Sequence, residues 1–191
     1  SIVHPNDHVN CGQSTNDAYP SAGKLAVIRL LEKAIITLKR LESALEDCAK
    51  KFKPVVKMGR TEMQDAVPMS LGQSFGAFAK AVGRDVKRFE KAIECMSTLN
   101  MGATAIGTGI NAHPEYIKKI VGNVSKVTGL KLVQCEDLVD GTQNLDELAN
   151  VSGIIKTCAV NISKISNDLR LMSSGPRAGF GEINLPGRQN G

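Results

Sequence analysis

The sequence has little of what membrane and secreted proteins need. Its 191 residues contain no uncharged apolar run of about 18 residues, which excludes a transmembrane helix. Tryptophan is absent and aromatic residues make up only 4% of the chain, but the 42% hydrophobic fraction is ordinary for a soluble globular protein. No basic stretch followed by an apolar one opens the sequence, so no secretory signal peptide is predicted. We therefore expect a protein of the cytoplasm.

Cysteine and histidine are also scarce and poorly spaced for a metal site. The five cysteines are an odd number without a CxxC pair, which argues against a disulfide framework and favours a reducing compartment. His4 and His8 are four residues apart, but Pro5 lies between them and no HExxH glutamate is present. Cys11 and Cys135 lack the partners of a catalytic thiol. The sequence thus predicts no metal and no cofactor.

The net charge of +5 does not by itself point to nucleic acid. Its 24 basic residues are dispersed among 19 acidic ones, as in LEKAIITLKRLESALEDCAKK, and such mixing is typical of a solvated helix face. A small positive surplus would also suit attraction of a small anionic substrate.

Apolar residues recur in steps of three and four along the chain, which predicts an all-α, long-helix bundle. The first long helix is expected to open after Asn16 and Asp17, with Pro20 in its first turn, and to end before Pro54. The second long helix is expected over about 69–99 and should carry small residues that allow close helix contact. The remaining expected elements are a short helix over 114–128 capped by Gly129, one modest strand candidate over 130–135, and a third long helix over about 142–171.

Residues 1–191 are expected to form one domain, because no repeat or second domain is visible. Three long helices with apolar residues over much of their surface would leave that surface wet in a single short chain. Helices from other subunits are therefore expected to complete the core.

Three segments between helices are candidates for chemistry. Residues 4–20 place many hydroxyls and amides at a helix start, where they could bind a carboxylate or simply cap the helix. Residues 57–69 group Lys57, Arg60 and Thr61 before the next helix, either as a binding cluster or as a solvated loop. Residues 100–111 are rich in glycine but lack Gly-Lys-Ser/Thr, so a tight hinge is expected rather than a phosphate loop.

The motifs HPNDHVN, QSTNDAYP, GRTEMQDAVPMSLGQ, GATAIGTGIN and SNDLRLMSSGPRAGFGEINLP follow one another along the chain. Together they resemble the aspartase/fumarase superfamily over essentially the whole sequence. STNDAYP, and EINLP after SSGPRAG, look more like the aspartate ammonia-lyases than the class II fumarases. A fumarase, another lyase with a fumaryl product, and a helical oligomerisation domain without activity are the alternatives.

The resemblance implies a homotetramer whose active sites are each shared between three subunits, with no nucleic-acid or membrane partner. The reaction implied is reversible anti-elimination of ammonia from L-aspartate to give fumarate. A base would remove a proton beside a carboxylate, and the aci-carboxylate so formed would need preorganised hydrogen-bond donors.

The resemblance also assigns residues. Ser14, Thr15 and Asn16 match the first substrate-binding segment, and Thr61 matches a hydroxyl that holds a substrate carboxylate. Glu62 stands where the family usually has His or Gln, and a carboxylate there would repel a dicarboxylate unless it is protonated or turned towards the ammonium. A possible second anion site would use His4, Asn6 and Asp7.

The catalytic serine of the family should follow EINLPGRQNG, beyond Gly191. The chain is therefore expected to be the central helical domain of a longer enzyme, without its N-terminal domain, catalytic serine loop and C-terminal domain. By itself it is expected to lack the general base and to be inactive.

Overall fold

A computed structural model describes residues 2–187 of the chain, and the long-helix architecture predicted from the sequence is confirmed. One π-helical turn, Pro5–Val9, precedes the first long helix. No helix within residues 2–187 has the length and apolar character needed to cross a membrane. The elements in chain order are α1 (Thr15–Lys51), β1 (Val56–Thr61), β2 (Gln64–Ser70), α2 (Leu71–Met96), β3 (Thr98–Leu99), α3 (Pro114–Thr128), β4 (Val133–Gln134), α4 (Leu138–Gln143) and α5 (Asp146–Met172).

The chain divides into two compact units. The first comprises Ser1–Ile35 and Arg88–Gly153, and the second comprises Ile36–Lys87 and Ile154–Gly191. Each unit buries its own apolar side chains at the helical spacing expected from the sequence. The buried positions include Ile28, Leu31, Met96, Leu99, Val121 and Val151 in the first unit, and Leu38, Leu45, Phe75, Phe78, Val82 and Ile165 in the second.

The start of α1 differs from the prediction by about one turn. The helix begins at Thr15, so Pro20 lies inside it rather than in its first turn. A proline has no N–H to donate to the carbonyl four residues earlier, which here belongs to Asn16. The Asn100 side chain replaces that donor, because its Nδ2 lies 3.0 Å from the Asn16 oxygen. A contact from a distant loop therefore allows the helix to start early.

Residues 56–70 form an antiparallel hairpin that the sequence analysis did not predict. Thr61 pairs with Gln64, and the two residues between them, Glu62 and Met63, both have positive φ angles of 52° and 64°. Two left-handed residues in a two-residue loop suit the twist of a hairpin, but Asn-Gly or Asp-Gly is the usual signal for it. The expectation of a single strand candidate at 130–135 was therefore wrong.

The second long helix is shorter than predicted, since α2 begins only after the hairpin and ends at Met96. Its small residues do permit close approach, as expected. A Cβ built on Gly72 would lie 2.8 Å from the Lys53 Cα and closer still to the Ala49 carbonyl oxygen. Alanine at that position would push α2 away from the end of α1.

The remaining elements match the prediction more closely. α3 covers Pro114–Thr128, and Gly129 ends it in the left-handed conformation with φ 71°. Within the expected strand region, β4 pairs in parallel with β3. The third long helix is divided, because Asn144 has extended backbone between α4 and α5.

Candidate functional site

The turn that opens α1 holds the first predicted binding residues. The Ser14 hydroxyl accepts a hydrogen bond of 3.1 Å from the Asn16 N–H, and so acts as a local cap. Thr15 and Asn16 are exposed, whereas Ser14 is half-buried. Ser14 and Thr15 line an open cleft of about 380 Å³ together with Asn10, Gln13, Ala18 and Tyr19. Capping thus occupies the Ser14 hydroxyl, while the exposed Thr15 lines the open cleft.

The glycine-rich segment after β3 packs onto this turn. Asn16 Nδ2 donates to the Ala105 carbonyl over 2.7 Å. Asn100 is 2% exposed and donates to both the Asn16 carbonyl and the Thr142 hydroxyl. Residues 100–111 are therefore a fixed loop against the start of α1, and the loop has positive φ at Gly102, Thr104, Gly107, Gly109 and Asn111.

Thr61 and Glu62 belong to the second unit and lie at the tip of the hairpin. Thr61 is the last residue of β1, Glu62 is the first residue of the turn, and both are exposed. The β1 strand carries a register shift between Met58 and Arg60, where the buried Gly59 faces the Val67 carbonyl. The bulge alters the alternation of side chains just before Thr61.

A cluster of charges fixes this hairpin to the segment after α5. Glu182 lies 2.9 Å from Lys57 Nζ and 2.6 Å from Arg60 Nη1, and the Glu182 side chain is 13% exposed. The Arg60 guanidinium also lies 3.9 Å above the Phe180 ring centre. Asp65 adds an exposed ion pair to Arg60 at 3.2 Å. These contacts of Lys57 and Arg60 therefore fix the hairpin that carries Thr61 and Glu62.

The pKa of Glu182 lies below the ordinary glutamate value. Burial raises it, but hydrogen bonds from Arg60 and Lys57 and the positive charges of both outweigh burial. The same hydrogen bond to Glu182 raises the pKa of Arg60 against the opposing effect of burial. Glu182 is therefore a carboxylate in this structure and serves as the counter-ion of the hairpin.

The possible second anion site lies in the π-helical turn before α1. His4 Nδ1 is 3.2 Å from the Asp7 carboxylate, and the His4 N–H donates to His8 Nδ1 over 2.8 Å. His4, Asn6 and Asp7 are all exposed. Local contacts thus occupy His4 Nδ1, and the assignment of His4 to an anion site stays a prediction.

No metal centre is formed by the residues that the structure describes. Across residues 2–187, no group of three or more His, Cys, Asp or Glu side chains is arranged to hold a metal ion. Burial raises the pKa of the Cys135 thiol, which favours its protonated form.

A family model described as Lyase matches residues 1–191. The chain belongs to this lyase family. It is 51% identical over 189 residues to an aspartate ammonia-lyase of Bacillus subtilis and 48% identical to one of Escherichia coli, which it covers over 40% of their length and 99% of its own. The chain thus spans about 40% of the length of these curated relatives.

Solved structures of the lyase family have the same fold. A fumarate lyase:delta crystallin from Brucella melitensis, bound to cobalt, superposes with a TM-score of 0.96 at 44% identity over 100% of this chain and 41% of that one. A class II fumarase from Schistosoma mansoni gives 0.83 at 33% identity, over 93% of this chain and 40% of the fumarase. The architecture is therefore the helical domain of the aspartase/fumarase fold.

Asp17, Asn100 and Glu182 were not assigned a site role from the sequence. In the structure they hold the turn that opens α1 and the charged hairpin. Asp17 is one of several capping or binding candidates in residues 4–20, whereas Asn100 and Glu182 receive no role beyond their place in the segment 100–111 and in the motif SNDLRLMSSGPRAGFGEINLP. The available signal for these residues was a charged or amide side chain inside a motif that is otherwise apolar or glycine-rich. Their partners lie far along the chain, so spacing could not reveal them.

Proposed function

We propose that this chain is the central helical domain of an aspartate ammonia-lyase that converts L-aspartate reversibly to fumarate and ammonia. The observation that carries the proposal is the 51% identity over 189 residues to a protein of that name. In the proposed reaction a base takes the proton from the carbon beside the β-carboxylate. The electron pair left there is delocalised onto the β-carboxylate as an aci-carboxylate, and it then forms the carbon–carbon double bond as the bond to nitrogen breaks and ammonia leaves.

The chain would supply binding groups rather than the base. Ser14, Thr15 and Asn16 sit at the positive end of the α1 dipole, which favours a bound carboxylate. Thr61 would hold a substrate carboxylate through its hydroxyl. These groups would stabilise the negative charge that develops on the aci-carboxylate. The general base is proposed to lie in the part of the enzyme that follows Gly191.

Assembly completes the proposal. Large apolar side chains stay exposed on α1 and α5, including Leu30 and Ile36 at 63% and Val160 at 59%. Such surfaces support a homotetramer in which helices of neighbouring subunits cover one another and three subunits build each active site. A cytoplasmic enzyme without nucleic-acid or membrane partners is proposed with it.

The deciding experiment follows fumarate formation by the full-length protein with L-aspartate and with L-malate. Activity on aspartate is expected, together with an inactive isolated chain 1–191. Activity on malate alone would replace the proposal by a fumarase, which the likeness to the Schistosoma mansoni enzyme favours as second candidate. Activity on neither substrate would leave another lyase with a fumaryl product or a helical oligomerisation domain without activity.

Thr61→Ala in the full-length enzyme should lower kcat/KM for aspartate. A hydrogen bond to a charged group contributes about 1.5–3 kcal/mol, which corresponds to roughly tenfold to 150-fold. Steady-state kinetics are the measurement, and Thr37→Ala, exposed on α1, is the matched control. An unchanged kcat/KM would remove Thr61 from the binding site.

Glu62→Gln should strengthen binding of fumarate. Fumarate is a dianion without an ammonium group, so the Glu62 charge can only repel it. Two unit charges about 4 Å apart in water interact by roughly 1 kcal/mol, which corresponds to about a fivefold lower KM in the reverse reaction. Glu46→Gln, exposed on α1, controls for net charge. Equal KM values in both variants would mean that Glu62 points away from the substrate.

A further inference from the structure

A single buried carboxylate links the start of α1 to the glycine-rich loop. Asp17 is fully buried, and its Oδ1 accepts the Ser14 N–H over 2.9 Å. Its Oδ2 accepts the N–H groups of Gly102 and Thr104 over 3.1 Å and 3.0 Å. Both oxygens of the carboxylate are therefore used, and all three donors are backbone amides of the first unit.

The loop adopts an unfavourable conformation to make this contact. Thr104 has φ 60°, and a β-branched residue in the left-handed region is a genuine outlier. Such strain persists where the surrounding contacts determine the conformation. At Thr104 the contact is the hydrogen bond from its own amide to Asp17. The hydrogen bond to the buried Asp17 carboxylate thus holds Thr104 in its strained conformation.

The same loop fixes Asn16 directly. The Ala105 carbonyl can only accept a hydrogen bond, so the nitrogen end of the Asn16 side-chain amide must face it. Asn100 fixes the Asn16 main-chain carbonyl as well. With Ser14 bonded to one Asp17 oxygen and the loop to the other, the Ser14–Asn16 turn has little freedom to move.

We propose that Asp17 is a positioning residue, which clamps the Ser14–Asn16 turn to the loop at residues 102–105 and so sets the geometry of the proposed binding groups. The consequence for catalysis rests on the proposed function, whereas the clamp does not. Asparagine has nearly the same shape as aspartate but only one acceptor oxygen, so Asp17→Asn would turn an NH₂ group towards backbone N–H groups. A misplacement of about 1 Å at a binding group can reduce rate about 100-fold.

The test compares Asp17→Asn with Asp85→Asn in the full-length protein. Asp85 is the matched control because it is also a fully buried aspartate, bonded through both oxygens to Asn161 Nδ2 at 2.9 Å and 3.1 Å. Hydrogen exchange of the Ser14, Gly102 and Thr104 amides reports on the clamp without reference to activity. Kinetics at a temperature where both variants are folded report on its consequence.

We expect Asp17→Asn to speed exchange at those three amides about tenfold or more and to lower kcat/KM about tenfold to 100-fold. Asp85→Asn should lower the unfolding temperature without either effect. Thr104→Gly keeps the N–H and removes the strain, so the three amides should stay protected. Loss of protection in Thr104→Gly would mean that the Asp17 carboxylate alone does not hold the loop, and would overturn the clamp.

Two further outcomes separate the clamp from the proposed function. Parental kinetics in Asp17→Asn, with aspartate turnover intact, would overturn the positioning role. A parent without lyase activity would instead overturn the proposed function. In that case the exchange data would still decide whether Asp17 holds the turn to the loop.

Discussion

Gly107→Ala should lower the free energy of unfolding of the first unit by about 3 kcal/mol or more. Gly107 has φ 95°, a conformation that side chains with a Cβ rarely adopt. A Cβ at this position would lie 2.6 Å from the Val139 nitrogen, 2.7 Å from the Leu138 carbonyl oxygen and closer still to the Val139 Cα. These are backbone atoms at the start of α4, so no rotamer change can relieve the clash.

The matched control is Gly122→Ala in α3. A Cβ on Gly122 would meet nothing within 4 Å, and alanine is favoured over glycine in a helix by about 0.5–1 kcal/mol. Denaturant unfolding of both variants is the measurement, and the two changes should have opposite signs. Equal stabilities would show that the loop does not pack against α4.

The same substitution bears on the proposed binding turn. Residues 102–105 bond to Asp17 and Asn16, and Gly107 follows them closely against α4. Displacing Gly107 would therefore disturb the loop that supports the turn. The glycine-rich segment thus acts as a support for the turn.

Local signals predicted the helices well, and the failures share one cause. Gly129 ends α3 because a left-handed cap needs no distant partner. The early start of α1 depends on Asn100, more than 80 residues away in sequence, and no periodicity encodes that contact. The hairpin was missed because its turn is Glu-Met and because Glu182, which pairs with Lys57 and Arg60 in β1, lies more than 100 residues further along the chain.

The candidate site also contains some residues that were predicted from the sequence and others that were not. The resemblance predicts substrate-binding roles for Ser14–Asn16 and Thr61, and these roles stay predictions. The resemblance gave no role to Asp17 or Glu182. Their role is visible only in the structure, where each carboxylate lies beside its hydrogen-bond or ion-pair partners. Burying a charge costs free energy unless the charge is paired and hydrogen-bonded. Each buried carboxylate with specific partners therefore marks a place where the geometry of the chain is important.

Glu182→Gln should lower the free energy of unfolding at neutral pH by about 3 kcal/mol, because it leaves the Lys57 charge, 12% exposed, without its partner. The hairpin that carries Thr61 is expected to loosen first, so hydrogen exchange at β1 and β2 should rise before global unfolding. Asp65→Asn is the control, since it removes a 70%-exposed partner of the same Arg60 and should cost little.

The pH dependence of Glu182→Gln tests the origin of this stabilisation. The folded-state pKa of Glu182 lies below its ordinary value, so folding favours the carboxylate. Its contribution is complete above the unfolded-state pKa of about 4.3 and is lost as pH falls through the folded-state pKa. The stability difference between parent and variant should therefore be constant from about pH 8 to 5 and shrink on further acidification. A difference that persists at low pH would mean that the hydrogen-bonding geometry of the side chain, rather than its charge, holds the hairpin.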